Sequence, residues 1–219
     1  MDERTTGIIL RTRPLTETSL IVHWLTPDLG RLATVAKGAR RLKSPFAGKL
    51  DLFFRADFSF VRSRRSDLHG LREVSVRDFN PILRTNLAYL EQAAYCARLL
   101  ELGTETETPL PGFYEMFAGV LILLSGQPKD HRAVHAFEAR LLRELGIMPD
   151  LARGPLTPAG RAHFTQIARA EWSELPEIAL AEAQSIEIGR YLRGLIAFHF
   201  DRVPAGRPSD VACGKQMER

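Results

Sequence analysis

Apolar and polar residues alternate in five short stretches before residue 80, and after it the spacing changes. Residues 6–13 are short and rich in β-branched side chains. In residues 18–26, Leu20, Val22 and Trp24 fall on one face. Residues 31–37 follow Pro27-Asp28-Leu29-Gly30, a sequence with turn chemistry. Residues 52–61 carry the clearest pattern: Phe54, Ala56, Phe58 and Phe60 share one side, and Arg55, Asp57 and Ser59 the other. Residues 71–76 are the fifth stretch. Five short strands in this span predict a small closed or partly closed barrel, with an open sheet packed on helices as the alternative.

Near Asn80-Pro81 the period becomes helical, because Asn is a good N-cap and Pro a good first helical residue. Leu83, Leu87, Leu90, Ala94 and Ala97 recur at three- and four-residue spacing, and this helix ends near Gly103. Residues 104–112 read as a linker. A second helix, 113–124, is apolar on most sides and should be buried. It stops at Ser125-Gly126-Gln127-Pro128. Asp130 can cap a third helix with Val134, Phe137, Leu141, Leu142 and Leu145 as its stripe and Gly146 as its C-cap. Residues 148–160 read as loop, 162–172 as a helical piece, and 181–200 as a last helix carrying Ile188, Leu192, Leu195 and Ile196. Strands followed by helices imply an α+β chain. The expected division is 1–79, 80–203, and a flexible polar tail, 204–219.

Charge sharpens this division. Residues 1–79 hold 15 Lys and Arg against 9 Asp and Glu, whereas residues 80–219 hold 15 against 17. A basic module joined to a near-neutral one suits a polyanion partner. The cations concentrate in VAKGARRLKSP, where Lys37, Arg40, Arg41 and Lys43 fall within seven residues and no carboxylate intervenes. From Arg31 to Arg65, ten cations, among them Lys49, Arg62, Arg64 and Arg65, meet only Asp51 and Asp57. Such loops bind a phosphate backbone by releasing condensed counterions, and Gly38 lets the backbone approach closely. As loops of one barrel, the 37–43 and 62–65 clusters would form a single groove. A basic loop is also a common solubilising surface, but the tightness of this cluster and its confinement to one half favour nucleic acid. Trp24, Phe46, Phe53 and Phe54 interleave with the cations. Phe54, Phe58 and Phe60 alternate as core residues do and Trp24 packs inside, so Phe46, within the basic loop, is the best candidate for stacking on a base.

Catalytic patterns are missing. There is no Walker-type loop, no HExxH and no GxSxG. Asp51 and Asp57 are about 20 Å apart in an extended strand, too far to share a metal. His131 and His135, four apart on one helix, are half a metal site with no third ligand nearby, and read as surface histidines. Cys96 reads as a small core residue. Two cysteines make no disulfide framework, the first ten residues are no secretory signal, and the longest apolar run, 116–124, is short of the ~20 residues of a membrane span. The expectation is a soluble cytoplasmic protein without enzymatic activity, metal or other cofactor.

RPLTETSL at 13–20, Leu25-Thr26 with Gly30, VAKGAR at 35–40, Lys43-Ser44 and LDLF at 50–53 together resemble the N-terminal signature of the recombination mediator RecO family. The resemblance is strong over residues 7–54. It thins to 80, and then rests on helix pattern, on FEARLLRELG at 137–146 and on Tyr191-Leu192-Arg193. It implies an OB-fold barrel followed by a mainly helical domain. It further implies binding of single- and double-stranded DNA, strand annealing, and action with RecR and the acidic tail of single-strand-binding protein in loading RecA. Lys37, Arg40, Arg41 and Lys43 would occupy the family's basic loop. Many members carry a four-cysteine zinc module after the position of Gly146; residues 147–165 contain no cysteine, so no zinc is expected. Gly206-Arg207-Pro208-Ser209 only loosely matches the family's basic ending. For the partner's acidic tail, Arg140 and Arg143 beside Leu141 and Leu142 are the candidate pocket. A competing reading makes the chain a protein-interaction adaptor whose helical half docks partners, with DNA contact incidental. A third, a metal nuclease, has little support.

Overall fold

The computed structural model describes residues 2–124 and 131–208. It divides into two compact units, residues 1–81 with 104–115, and residues 82–103 with 116–219.

In the first unit, five strands close into a barrel: β1 (Asp2–Pro14), β2 (Leu20–Thr26), β3 (Gly30–Ala36), β4 (Arg55–Val61) and β5 (Leu68–Asp78), in the order β1-β2-β3-β5-β4. This is the closed alternative, with the OB-like connectivity that the resemblance implied. β1 is longer than its pattern suggests because it serves two neighbours. Asp2 to Ile8 pair with β4, and Ile8 to Pro14 pair with β2. The register shifts between Ile9 and Arg11, and Ile8, Ile9 and Leu10 are all buried in succession, which breaks the alternation there. Three parallel pairs, Ala33–Leu68, Thr34–His69 and Val35–Gly70, close the ring, and closure removes exposed sheet edges. β4 begins only at Arg55. Phe53 has φ 62°, so the chain turns before the strand instead of running straight through residues 52–54. Phe54, Ala56, Phe58 and Phe60 do face the core. Trp24 stacks on Phe58, with ring centroids 4.0 Å apart, and its indole N–H donates to Thr34 Oγ1 at 2.8 Å, which satisfies the one polar atom it buries.

The stretch read as a linker belongs partly to this unit. Thr106 bridges Arg31 in a parallel contact, and the Glu107 N–H donates to the Arg31 carbonyl at 2.7 Å. Gly30 is required beside it: its φ is +68°, and a Cβ there would lie 1.9 Å from the Thr108 carbonyl oxygen.

The second unit is built from helices. They are α1 (Leu87–Gly103), α2 (Pro111–Leu124), whose first turn clusters with the barrel, α3 (Arg132–Glu144), α4 (Pro158–Arg169) and α5 (Glu182–Phe200). Asn80 does not cap α1. It has φ 42°, its amide donates to the Phe53 carbonyl at 2.6 Å, and Pro81–Arg84 form a separate 3-10 turn. Asn86 serves the first turn of α1 instead, accepting the Ala88 N–H at 2.9 Å. α3 packs against α1, α4 and α5 and is buried from Ala133 to Ala139. It ends as its sequence predicts: Gly146 has φ +70°, its N–H donates to Arg143 O, and that of Ile147 donates to Leu142 O. α4 starts earlier than expected because Thr157 accepts the Gly160 N–H at 3.0 Å and Pro158 opens the helix. The expected stop at 125–128 and the Asp130 cap lie outside the described residues. Among the described residues no helix is long and apolar enough to cross a membrane.

Candidate nucleic-acid interface

The chain leaving β3 runs through a series of tight turns. Arg41 N–H donates to Gly38 O, Ser44 N–H to Arg41 O, Ala47 N–H to Ser44 O and Lys49 N–H to Phe46 O, all at 3.0–3.1 Å. Gly38 and Gly48 take φ values of +70° and +71°, which the reversals need. Arg40 ties the loop to the β1–β2 connection: its N–H donates to Thr18 O at 3.0 Å and its guanidinium to Thr16 O at 3.3 Å. This bonding holds a loop of like charges in shape. Lys37, Arg40, Arg41 and Lys43 are exposed and Lys49 half-exposed. Among the described residues none of these five is in an ion pair. Lys37 and Arg41 line a groove with Leu15, Thr16, Thr18 and Ser19.

Phe46 is not a stacking platform in this arrangement. It is 6% exposed and packs in the barrel core. As the only large aromatic of a polar loop, it gains about 1.5–3 kcal/mol by burial, and so anchors the loop. Trp24, Phe53 and Phe54 are likewise buried.

The second basic cluster is divided. Arg64 and Arg65 are exposed on the β4–β5 turn. Arg62 is held by acids: Nε and Nη2 donate to the two Glu3 carboxylate oxygens at 2.9 and 3.0 Å, and Nη1 donates to Glu107 at 2.6 Å. The Arg62 hydrogen bond holds the Glu3 carboxyl below its usual range. Glu107 is also bonded by His69, whose Nδ1 accepts the Ser63 N–H, so Nε2 carries the proton that Glu107 accepts at 2.9 Å. Arg31 is spent on the chain after α1, donating to Thr104 Oγ1 at 2.8 Å and to the Thr104 carbonyl. Arg31 and Arg62 are therefore structural clasps here. In the sequence both look like free surface cations, because the groups that hold them lie 59 and 73 positions away.

The two basic loops do not meet in one groove. Residues 62–67 lead into Leu68, opposite Ala33, whereas the 37–49 loop starts after Ala36. At about 3.3 Å per residue those positions are about 10 Å apart along the strands, and the loops leave opposite ends of the β3–β5 pair.

The candidate partner pocket on α3 is also not formed. Leu141 and Leu142 are fully buried in the helical unit. Arg140 lies over the Trp172 ring at 4.0 Å and donates to the Ala170 carbonyl. Arg143 donates to Ala168 O at 3.4 Å. The leucines are core, and the stripe that marked them as apolar is the signal for that burial.

The helical unit holds a group that sequence reasoning missed. Arg207 is 2% exposed and grips the fully buried Glu138 through two 2.7 Å bonds, while Tyr95 donates its hydroxyl to the same carboxylate at 2.5 Å. Arg98 donates to Ala205 O at 2.8 and 3.1 Å. The chain from 205 to 207, read as part of a flexible tail, is thus tied to the helices; residues 209–219 lie outside the described residues. A carboxylate in the apolar stripe of α3 was the available signal, since a buried charge calls for a partner. His135 is buried rather than on the surface, and burial with the nearby Arg207 pulls its pKa down to about 3. Cys96 is buried, which raises its thiol pKa. Among the described residues no three His, Cys, Asp or Glu side chains gather as metal ligands.

Comparison with known proteins agrees with this arrangement. Recombination protein O N terminal matches residues 1–79, the strands and both basic loops, and Recombination protein O C terminal matches residues 84–154. A DNA repair protein RecO from Rhodopirellula baltica is 35% identical over 167 residues, 76% of this chain and 61% of that protein. One from Syntrophus aciditrophicus is 28% identical over 166 residues, 74% and 64% of the two chains, and one from an Anaeromyxobacter species 32% over 146 residues, 67% and 58%. The chain spans about three fifths of the length of these relatives. With two successive family matches across the barrel and the first helices, the chain belongs to the RecO family.

Proposed function

We propose that this chain is a DNA repair protein of the recombination-mediator kind: it binds single- and double-stranded DNA through the loop after β3, anneals complementary strands and helps load RecA, acting with RecR and single-strand-binding protein. The observation that carries the reading is the set of exposed, acid-free cations, Lys37, Arg40, Arg41 and Lys43, on a loop held in shape by its own backbone. Lys49 extends it within the same loop, and Arg64 and Arg65, on the β4–β5 turn at the other end of the β3–β5 pair, form a separate basic patch for a longer strand. The names of the relatives point the same way. Annealing requires two polyanions to approach, and a surface that neutralises phosphates lowers their repulsion without reading sequence. On this reading the protein supplies charge and shape, with no bond-making step and no metal. The loop binds DNA in the cytoplasm, at the nucleoid.

Strand annealing followed with a quenched oligonucleotide pair, with and without single-strand-binding protein and across a salt series, tests the proposal. Annealing that the chain accelerates at low salt, and that fades as salt rises, is expected. No acceleration at any salt would overturn it.

A further inference from the structure

The basic loop displays a leucine. Leu42 is 102% exposed, more than any other large apolar side chain among the described residues, and it sits between Arg40, Arg41 and Lys43. Single exposed leucines are ordinary on protein surfaces. This one differs in two respects. It stands on a turn fixed on both sides, by Arg41 N–H to Gly38 O and Ser44 N–H to Arg41 O, both at 3.1 Å, so it is held outward. Across the groove that Lys37 and Arg41 line, Leu15 is 45% exposed. The two connections thus present cations and uncovered apolar side chains together.

A polyanion seated on those cations by its phosphates brings its bases to the leucine. Apolar side chains inserted beside bases act as wedges, and the cost of insertion is the unstacking of the step they enter. That cost is smallest where bases are already open. We infer that Leu42 is a base-contacting wedge that directs the basic loop to nucleic acid with unstacked bases (single strands, frayed ends and mismatched steps) in preference to intact duplex. The contact is apolar and reads no sequence. This rests on the nucleic-acid reading of the loop above.

The test uses the full chain and oligonucleotides carrying 2-aminopurine, single-stranded and as a blunt duplex. Leu42→Ala should weaken single-strand binding about three- to tenfold and reduce the fluorescence rise of unstacking, leave duplex affinity within about twofold, and keep the salt slope. Leu42→Phe should restore the single-strand affinity. If Leu42→Ala matches the wild type in affinity and fluorescence while binding stays salt-dependent, the wedge is wrong and the nucleic-acid reading stands. Should the wild type bind neither oligonucleotide, both fall. Vesicles of phosphatidylglycerol and phosphatidylcholine form the control arm. Sedimentation with them that Leu42→Ala abolishes, with DNA binding unchanged, would assign the leucine to a lipid surface and overturn the inference.

Discussion

Two arginines show how far burial decides what a charge does. Arg62 meets Glu3 and Glu107 at the surface, with its side chain 40% exposed. Arg207 meets Glu138 where neither reaches water. Exposed pairs are worth about 0–1 kcal/mol, so Arg62→Ala should lower barrel stability by no more than that and change DNA affinity less than Arg41→Ala does. Equal losses of affinity in anisotropy titrations would show that Arg62 contacts DNA after all. Removing one member of a buried pair strands the other: Arg207→Ala should cost about 3–5 kcal/mol, read from urea unfolding. A change under about 1 kcal/mol would mean that Glu138 finds another partner. Neither role was visible in a window of sequence, because both depend on partners tens of residues away. Phe46 misled differently. Its place among cations suggested stacking, but an isolated aromatic in a polar loop is also what an anchor looks like, and here the core takes it.

At the scale of elements, what could be read was periodicity and what could not was pairing. Phe54, Ala56, Phe58 and Phe60 announced β4, and Gly146 announced the end of α3, since both rest on local spacing. The length of β1 was hidden because one strand serves two neighbours, and three successive buried residues erase its alternation. The segment after α1 has no periodicity, so its seat beside Arg31 could not be anticipated. Glycines separate these cases experimentally. Gly146→Ala meets open space and carries only the left-handed backbone penalty, about 1–2 kcal/mol. Gly30→Ala carries the same penalty and also drives a methyl into the Thr108 carbonyl, so its loss should be larger. Thermal unfolding of the two variants checks the order; a smaller loss for Gly30→Ala would mean that the 104–108 segment is not seated on β3.

For the whole molecule, the switch from alternation to helical spacing near residue 80 and the concentration of cations before it gave the class and the candidate surface. The basic loop after β3 was legible because it is contiguous in sequence; which of the remaining cations stay free was not. Acid stability follows from a histidine in each unit. His23 is held at about 4 by burial and by Arg11, Arg13 and Arg31, and His135 at about 3 by burial, Arg207 and His131, against about 6.5 unfolded. Below 6.5 the unfolded chain takes up protons that the folded chain refuses. Both units should therefore lose stability as pH falls from about 6.5 towards 4 and 3, and none through these groups above 7. Urea midpoints that stay flat between pH 7 and 5 would contradict this; His135→Gln should flatten the dependence of the helical unit.

The most direct measurement is the salt dependence of single-strand DNA affinity for the wild type and for Lys37, Arg40, Arg41 and Lys43 replaced together by alanine, both checked for an unchanged circular dichroism spectrum. Each phosphate contact contributes about 0.7 to the slope on single strands. The quadruple variant should bind more weakly, with a slope shallower by about three. A variant with the wild-type affinity and slope would contradict the assignment of this loop to the phosphate backbone.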